Sequence, residues 1–145
     1  MIGEYVVDLG SGGGLPGIPL AITNPQKQFL LVESNTKKAS FLLNTVTKLN
    51  LHNTEVINDR IENIDSSNFP DRFDIVSRAV GSIEANIALT EQLLKKKGVY
   101  LKLMKTEDQF FKEHLPTGYN VKKIDKYLTK TKDKTRILVT IEKVQ

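Results

Sequence analysis

Apolar residues along this 145-residue chain fall in short blocks, and the spacing inside the blocks follows two different patterns. Residues 5–9 (YVVDL) and 28–33 (QFLLVE) are almost continuously apolar and lie a helix length apart. Continuous runs, rather than alternating ones, are expected of parallel strands covered on both faces. Residues 54–58, 73–77 (FDIVS) and 99–104 read as a third, fourth and fifth strand. Between these blocks the period changes. Residues 35–50 carry Ala39, Leu42, Leu43, Val46 and Leu49 at spacings of three and four, with Ser34 or Asn35 as the N-cap, which predicts an amphipathic helix. Residues 83–97 form the next helix, closed by Gly98 at the C′ position that tolerates positive φ. Pro16 suits the first turn of a short helix that ends before Pro25. The polar stretch between the third and fourth strands has room for a short helix, and another is expected near residues 106–114.

Strand and helix alternate along most of the chain, which predicts an α/β fold with a parallel sheet and helices on both faces. The ending departs from this order. Apolar stretches at 119–128 and 136–144 are separated by seven residues, TKTKDKT. That link is too short for a helical crossover, so the last two strands are expected to be antiparallel neighbours. With no internal repeat, low-complexity tract or linker, one domain covering residues 1–145 is expected.

Composition narrows the chemistry. The chain has no cysteine, which excludes disulfides, thiolate metal ligands and a cysteine nucleophile. No apolar run approaches the ~20 residues of a membrane span, and the first residues lack the marks of a cleaved leader. A cytoplasmic monomer without metal or membrane association is the expectation. The excess of 21 Lys and Arg over 17 Asp and Glu is mild, but residues 121–145 hold eight basic residues against three acids. A second group, Lys95, Lys96, Lys97, Lys102 and Lys105, precedes them. Such clusters suit a polyanion, and equally an ordinary solvated face.

The candidate chemistry begins in VVDLGSGGGLPG, residues 6–17, where five glycines follow the first strand. Gly12, Gly14 and Gly17 match the G-x-G-x-x-G of dinucleotide sites. Asp8, Gly10, Gly12 and Gly14 match D-x-G-x-G-x-G, a spacing used for S-adenosylmethionine. Both ligands bind beyond the carboxyl ends of parallel strands, where the strand order reverses. Glu33, at the end of the second strand, can accept hydrogen bonds from the ribose hydroxyls of either one; the alternative is a cap on the helix that follows. Asp8 separates the two. A carboxylate beside a pyrophosphate is repelled, whereas S-adenosylmethionine carries a sulfonium and an ammonium and would reward an acid that acts directly, through water or by holding the loop. The glycines themselves point to a ligand, because five of them cost backbone entropy.

The sequence DLGSGGGLPGIPLAI, followed by LVES…K…FL, NDRIEN and FDIVSRAV, resembles the glucose-inhibited division protein B family, methyltransferases acting on N7 of a guanine in small-subunit (16S) ribosomal RNA. GLPGIPL and SRA carry most of the specificity, and the resemblance runs from about residue 5 to the carboxyl end. It implies a Rossmann-like class I fold, a mostly parallel seven-stranded sheet with a terminal antiparallel strand, S-adenosyl-L-methionine as cofactor and small-subunit ribosomal RNA as partner. It further implies that Gly10 and Leu15 contact the cofactor, that Ile61 and Glu62 lie by the adenine, and that Arg78 lies near the reacting end, as a cofactor contact and candidate catalytic residue. Taken alone, Leu15 and Ile61 read as core and Glu62 as a surface charge, while Arg78 competes evenly with a structural ion pair. Family members usually carry several helices before the first strand, so this chain is read as a fragment or a shortened form.

The residues after the fourth strand bear on mechanism. Ser77, Arg78, Ala79 and Val80 stand where amine methyltransferases commonly have Asn or Asp with Pro-Pro. Guanine N7 presents an in-plane lone pair and needs no general base; His52 and His114 sit in ordinary polar contexts. N7 faces a groove that is poorly accessible in an A-form helix, so the target base is expected in a loop or splayed out, with Arg78, Lys105 and the lysines of the terminal hairpin holding phosphates. Two other classes share parts of this pattern: a nicotinamide-dinucleotide-dependent oxidoreductase and a catalytically silent RNA-binding module.

Overall fold

The computed structural model describes residues 2–78, 81–127 and 134–145. Its centre is β1 (Tyr5–Leu9), flanked by β2 (Gln28–Val32) on one side and β4 (Phe73–Ser77) on the other, both parallel to it. Val6 and Val7 are both fully buried, on opposite faces: Val7 joins Leu30 and Ile75 in one core, and Val6 joins Ala21, Phe29 and Val76 in the other. Burial on both faces is why these strands are apolar without alternation. With β3 (Thr54–Ile57), β5 (Val99–Thr106), β6 (Tyr119–Tyr127) and β7 (Arg136–Lys143) the sheet has seven strands, in the order β3-β2-β1-β4-β5-β7-β6. β7 is antiparallel to both β5 and β6, so it alone runs against the other six. The expected mostly parallel, Rossmann-like α/β sheet with an antiparallel ending is present. Leu128 and most of the TKTKDKT link lie outside the described residues.

The helices are shorter than their sequence pattern predicts, each for a local reason. Helix α1 (Gly17–Thr23) starts one residue after Pro16, which is its N-cap rather than its first residue, its carbonyl accepting the Leu20 N–H in the first turn. In α2 (Thr36–Lys48) the cap is Asn35, whose side chain accepts the Lys38 N–H. Ala39, Leu42 and Val46 are buried, the last two against Ile18 and Leu31, but Leu43 and Leu49 are exposed, so the apolar face is narrower than its spacing suggested. Helix α3 (Ile83–Leu94) stops three residues before Lys97, and Gly98, at φ 87°, sits in the turn that enters β5 rather than at the helix end. Helix α4 (Glu107–Phe111) has a capping box between Thr106 and Gln109 and covers only part of 106–114.

The polar stretch between β3 and β4 holds a single 3-10 turn, Ile61–Asn63, and no α-helix. The rings of Tyr5, Phe69 and Phe73 pack together there, with centroids 5.4 Å apart from Tyr5 to Phe69 and from Phe69 to Phe73. They close that end of the larger core, in which Ile83, Ile87 and Leu94 of α3 lie against Leu101, Val139 and Ile141 of the sheet. On the opposite face an apolar groove of about 430 Å³ runs between Leu20, Val76, Met104 and Tyr127. Among the described residues no helix is long and apolar enough to cross a membrane.

Candidate functional site

The sheet order reverses between β1 and β4: β2 and β3 lie to one side, while β4 and β5 continue on the other. At the carboxyl ends of these strands is a cleft of about 540 Å³. Gly10, Gly12 and Gly13 line it from the loop after β1, Glu33 and Ser34 from the end of β2, Asp59 to Glu62 from the end of β3, and Arg78 from the end of β4. Lys38 of α2 and Asn86 and Leu89 of α3 complete its walls.

The loop after β1 is folded around Asp8. This side chain is buried, and its Oδ2 accepts the Ser11 hydroxyl at 2.9 Å and the Gly17 N–H at 2.9 Å. One carboxylate oxygen thereby fixes both ends of the glycine segment, at its start and at the first residue of α1. Close packing favours glycine at position 17, since a Cβ there would press on Asp8 Oδ2 and Leu31 Cδ2. Gly14, at φ 88°, is buried against Ile18 and Leu42, and a Cβ would strike Ile18. Gly13 is different: its φ is unexceptional and nothing lies within 4 Å of where a Cβ would project. The turn itself therefore accounts for glycines that sequence reasoning assigned to a ligand, and Gly13 is the one left open on the cleft.

The other oxygen of Asp8, Oδ1, is buried and has no hydrogen-bond partner among the described residues. Burial raises the pKa of Asp8 from 3.8 to about 6; the bonds from Ser11 and Gly17 and the charge of Arg78 oppose that rise, and Glu33 adds to it. A buried acid with an unsatisfied oxygen is held at a cost. A cation placed above the loop would offset that cost.

Glu33 is nearly buried, with its backbone N–H bonded to the Ile57 carbonyl, and it faces the cleft. Because Asn35 caps α2, the capping role that competed for Glu33 is ruled out. Ile61 is both a core residue and a wall of the cleft, while Glu62 is exposed on its rim. Arg78 is exposed at the cleft, and no ion pair of Arg78 exists among the described residues. Ala79 and Val80 of SRAV lie outside those residues.

Three expected residues are not brought to the cleft lining, Asp8 among them, since it lies buried beneath the loop. Gly14 is packed behind the loop, and Leu15 is exposed outside it. Lys105 departs further from expectation. Expected to hold phosphates, it is buried with its Nζ 2.6 Å from Glu113 Oε1. Lys102 is also buried, 3.2 Å from Asp74 Oδ2, so the group of lysines between 95 and 105 is not one basic surface. In the terminal hairpin Lys122, Lys123 and Lys126 pair with Glu142, Asp125 and Glu107, while Lys134 and Arg136 are exposed. Lys130 and Lys132 lie outside the described residues.

Sequence reasoning passed over Lys38, Asp59, Asn86 and Leu89. Lys38 and Asp59 sit inside the LVES…K…FL and NDRIEN segments, where a signal existed. Asp59 is held in place by the Arg60 N–H and the Asn63 amide, and the Asn63 bond is the larger cause of its lowered pKa. Asn86 and Leu89 were indistinguishable from any other helix positions.

The fold matches solved methyltransferase structures. An rRNA methylase from Streptococcus thermophilus superposes with a TM-score of 0.61 at 18% identity, over 99% of this chain and 91% of that one. TrmK of M. capricolum, solved with S-adenosyl-homocysteine, gives 0.68 at 15% identity, over 97% and 62%. In sequence, a ribosomal RNA small subunit methyltransferase G of Hydrogenovibrio crunogenus is 38% identical over 98% of this chain and 65% of its own length. One from Legionella pneumophila (strain Corby) is 44% identical over 68% and 47%. The chain thus spans about half to two thirds of the curated relatives it matches. The family model for rRNA small subunit methyltransferase G, GidB, matches residues 2–139, and the chain belongs to that family.

Proposed function

We propose that this chain binds S-adenosylmethionine in the cleft and directs its methyl group to N7 of a guanine in small-subunit ribosomal RNA. The observation that carries the reading is Asp8, a buried carboxylate beneath the glycine loop with one oxygen unpaired. That donor set fits a ligand with an ammonium and a sulfonium and disfavours the pyrophosphate of a dinucleotide. Naming of the relatives as methyltransferases of small-subunit ribosomal RNA supports the substrate.

In this reading Asp8 and the loop amides hold the amino-acid end, Glu33 accepts from the ribose hydroxyls, and Ile61 and Glu62 border the adenine. Arg78 lies on the substrate side. When bound, the cofactor supplies an electrophilic methyl on sulfur. N7 of guanine brings its own lone pair, so the residues have no proton to remove; their work is to position the reacting atoms in line and exclude water, for which effective molarities allow about 7 to 11 kcal/mol. The exposed Arg78, Lys134 and Arg136 are left to meet phosphates.

The test is methyl transfer from labelled cofactor to small ribosomal subunits, followed by borohydride and aniline cleavage, which cuts at N7-methylguanine. A cut at one guanine is expected, with a chemical step nearly independent of pH from about pH 7 to 9 because no base titrates. Label without a cut moves the methyl off N7. Binding of NAD in place of S-adenosylmethionine refutes the reading and favours the oxidoreductase.

A further inference from the structure

A buried lysine, Lys105, pairs with the half-buried Glu113, and the pair is joined to the backbone at two other points. Lys105 stands near the end of β5, 4% exposed, with its Nζ 2.6 Å from Glu113 Oε1 and 3.3 Å from the Gly81 carbonyl. Glu113, just past α4, uses its second oxygen, Oε2, to accept the N–H of Ile83 at 2.6 Å. Gly81 lies in the connection from β4 to α3, and Ile83 is the first residue of α3. That connection leaves β4 at Arg78, and the helix it enters supplies Asn86 and Leu89 to the cleft wall. One lysine and one glutamate thus tie the strand end of β5 to the backbone that carries the cleft's far side.

The helix does not need this tie in order to start. Ser82 already caps α3, its Oγ accepting the Ala85 N–H at 3.1 Å. Glu113 adds a charged acceptor from a distant part of the chain to the same helix end, which sets where the helix begins relative to β5. A buried ion pair is weak evidence of net stabilisation, because desolvation offsets most of the attraction. Its two short charge-assisted bonds do give fixed geometry. α4, five residues long and closed by its own capping box, sets the spacing that lets residue 113 return to residue 105.

We propose that Lys105 and Glu113 are positioning residues for methyl transfer, holding Gly81 and the start of α3, whose Asn86 and Leu89 wall the cleft opposite the glycine loop; this rests on the proposed function. Neither side chain touches the reacting atoms. Misplacing a substrate-side group by about 1 Å costs on the order of 100-fold in rate, and a fall of that size in kcat is expected of Lys105→Met.

The experiment compares wild type, Lys105→Arg, Lys105→Met and the apolar double variant Lys105→Met/Glu113→Leu. Each is measured for unfolding by urea, for binding of S-adenosylhomocysteine, and for kcat and KM on small ribosomal subunits. Lys105→Met leaves the half-buried Glu113 without its cation and is expected to lose stability, whereas the double variant removes both charges and is expected to regain it. The proposal expects kcat to stay low in the stable double variant, S-adenosylhomocysteine affinity to remain near that of wild type, and Lys105→Arg to recover part of kcat. Recovery of kcat together with stability in the double variant overturns the proposal, because the pair is then structural only. Equal kcat in wild type and every variant overturns it too, while an inactive wild type refutes the proposed function on which it stands.

Discussion

Replacing Asp8 with asparagine removes the charge beneath the glycine loop while keeping one oxygen for Ser11 and Gly17. In the folded chain Asp8 titrates at about 6, against 3.8 for the ordinary group, with burial as the main cause. That difference, roughly two units, corresponds to about 3 kcal/mol. The sign follows from proton binding. Between the two values the folded state holds the proton and the unfolded state has released it, so stability falls as pH rises. The contribution is complete below pH 3.8, declines through the interval and is lost above about pH 6. Asparagine does not titrate, and its amide nitrogen near the site of Oδ1 adds an offset that does not depend on pH. The stability of wild type minus that of Asp8→Asn is therefore expected to drop by about 2 to 3 kcal/mol between about pH 4 and pH 7. Urea unfolding followed by circular dichroism at closely spaced pH values measures this difference, with equal m-values as the check on comparability. A difference that stays constant across the interval would refute the reasoning, because Asp8 would then share its pKa with the unfolded chain. The same titration has a functional face: a cationic ligand favours the ionised acid, so S-adenosylmethionine affinity should strengthen as pH rises through about 6 in wild type and stay level in Asp8→Asn.

Glu33→Gln keeps the shape of the side chain and should weaken S-adenosylhomocysteine binding by about 1.5 to 3 kcal/mol, the range for hydrogen bonds to charged groups; calorimetry that finds equal affinity removes Glu33 from the ribose. Gly17→Ala forces a methyl against Asp8 and Leu31 and should cost about 1 to 3 kcal/mol. Gly13→Ala meets nothing and should stay within about 0.5 kcal/mol of wild type in the same melts, so any loss of cofactor affinity it causes reports contact with the ligand. Leu42→Ala, in the core between α2 and the sheet, should destabilise by about 2 to 5 kcal/mol, and a smaller loss would mean that the narrow face of α2 can close over the cavity.

Features that depend only on neighbouring residues were legible in the chain before it folds. Both-face burial of β1, β2 and β4 was visible because adjacent residues point to opposite sides, and Val6 beside Val7 requires two cores. The glycine loop and Glu33 were legible for the same reason, since a strand end and the turn after it are settled within a few residues. Tertiary structure decided how each helix face was used. Leu43 and Leu49 have helical spacing, yet they remain exposed among the described residues. It also decided the fate of the lysines. Lys102 and Lys105 look like any basic cluster along the chain, but Asp74 and Glu113, brought to them by the fold, make burial affordable. A local pattern specifies backbone conformation through φ, spacing and caps, whereas burial of a charge depends on a partner whose position is known only once the chain has folded.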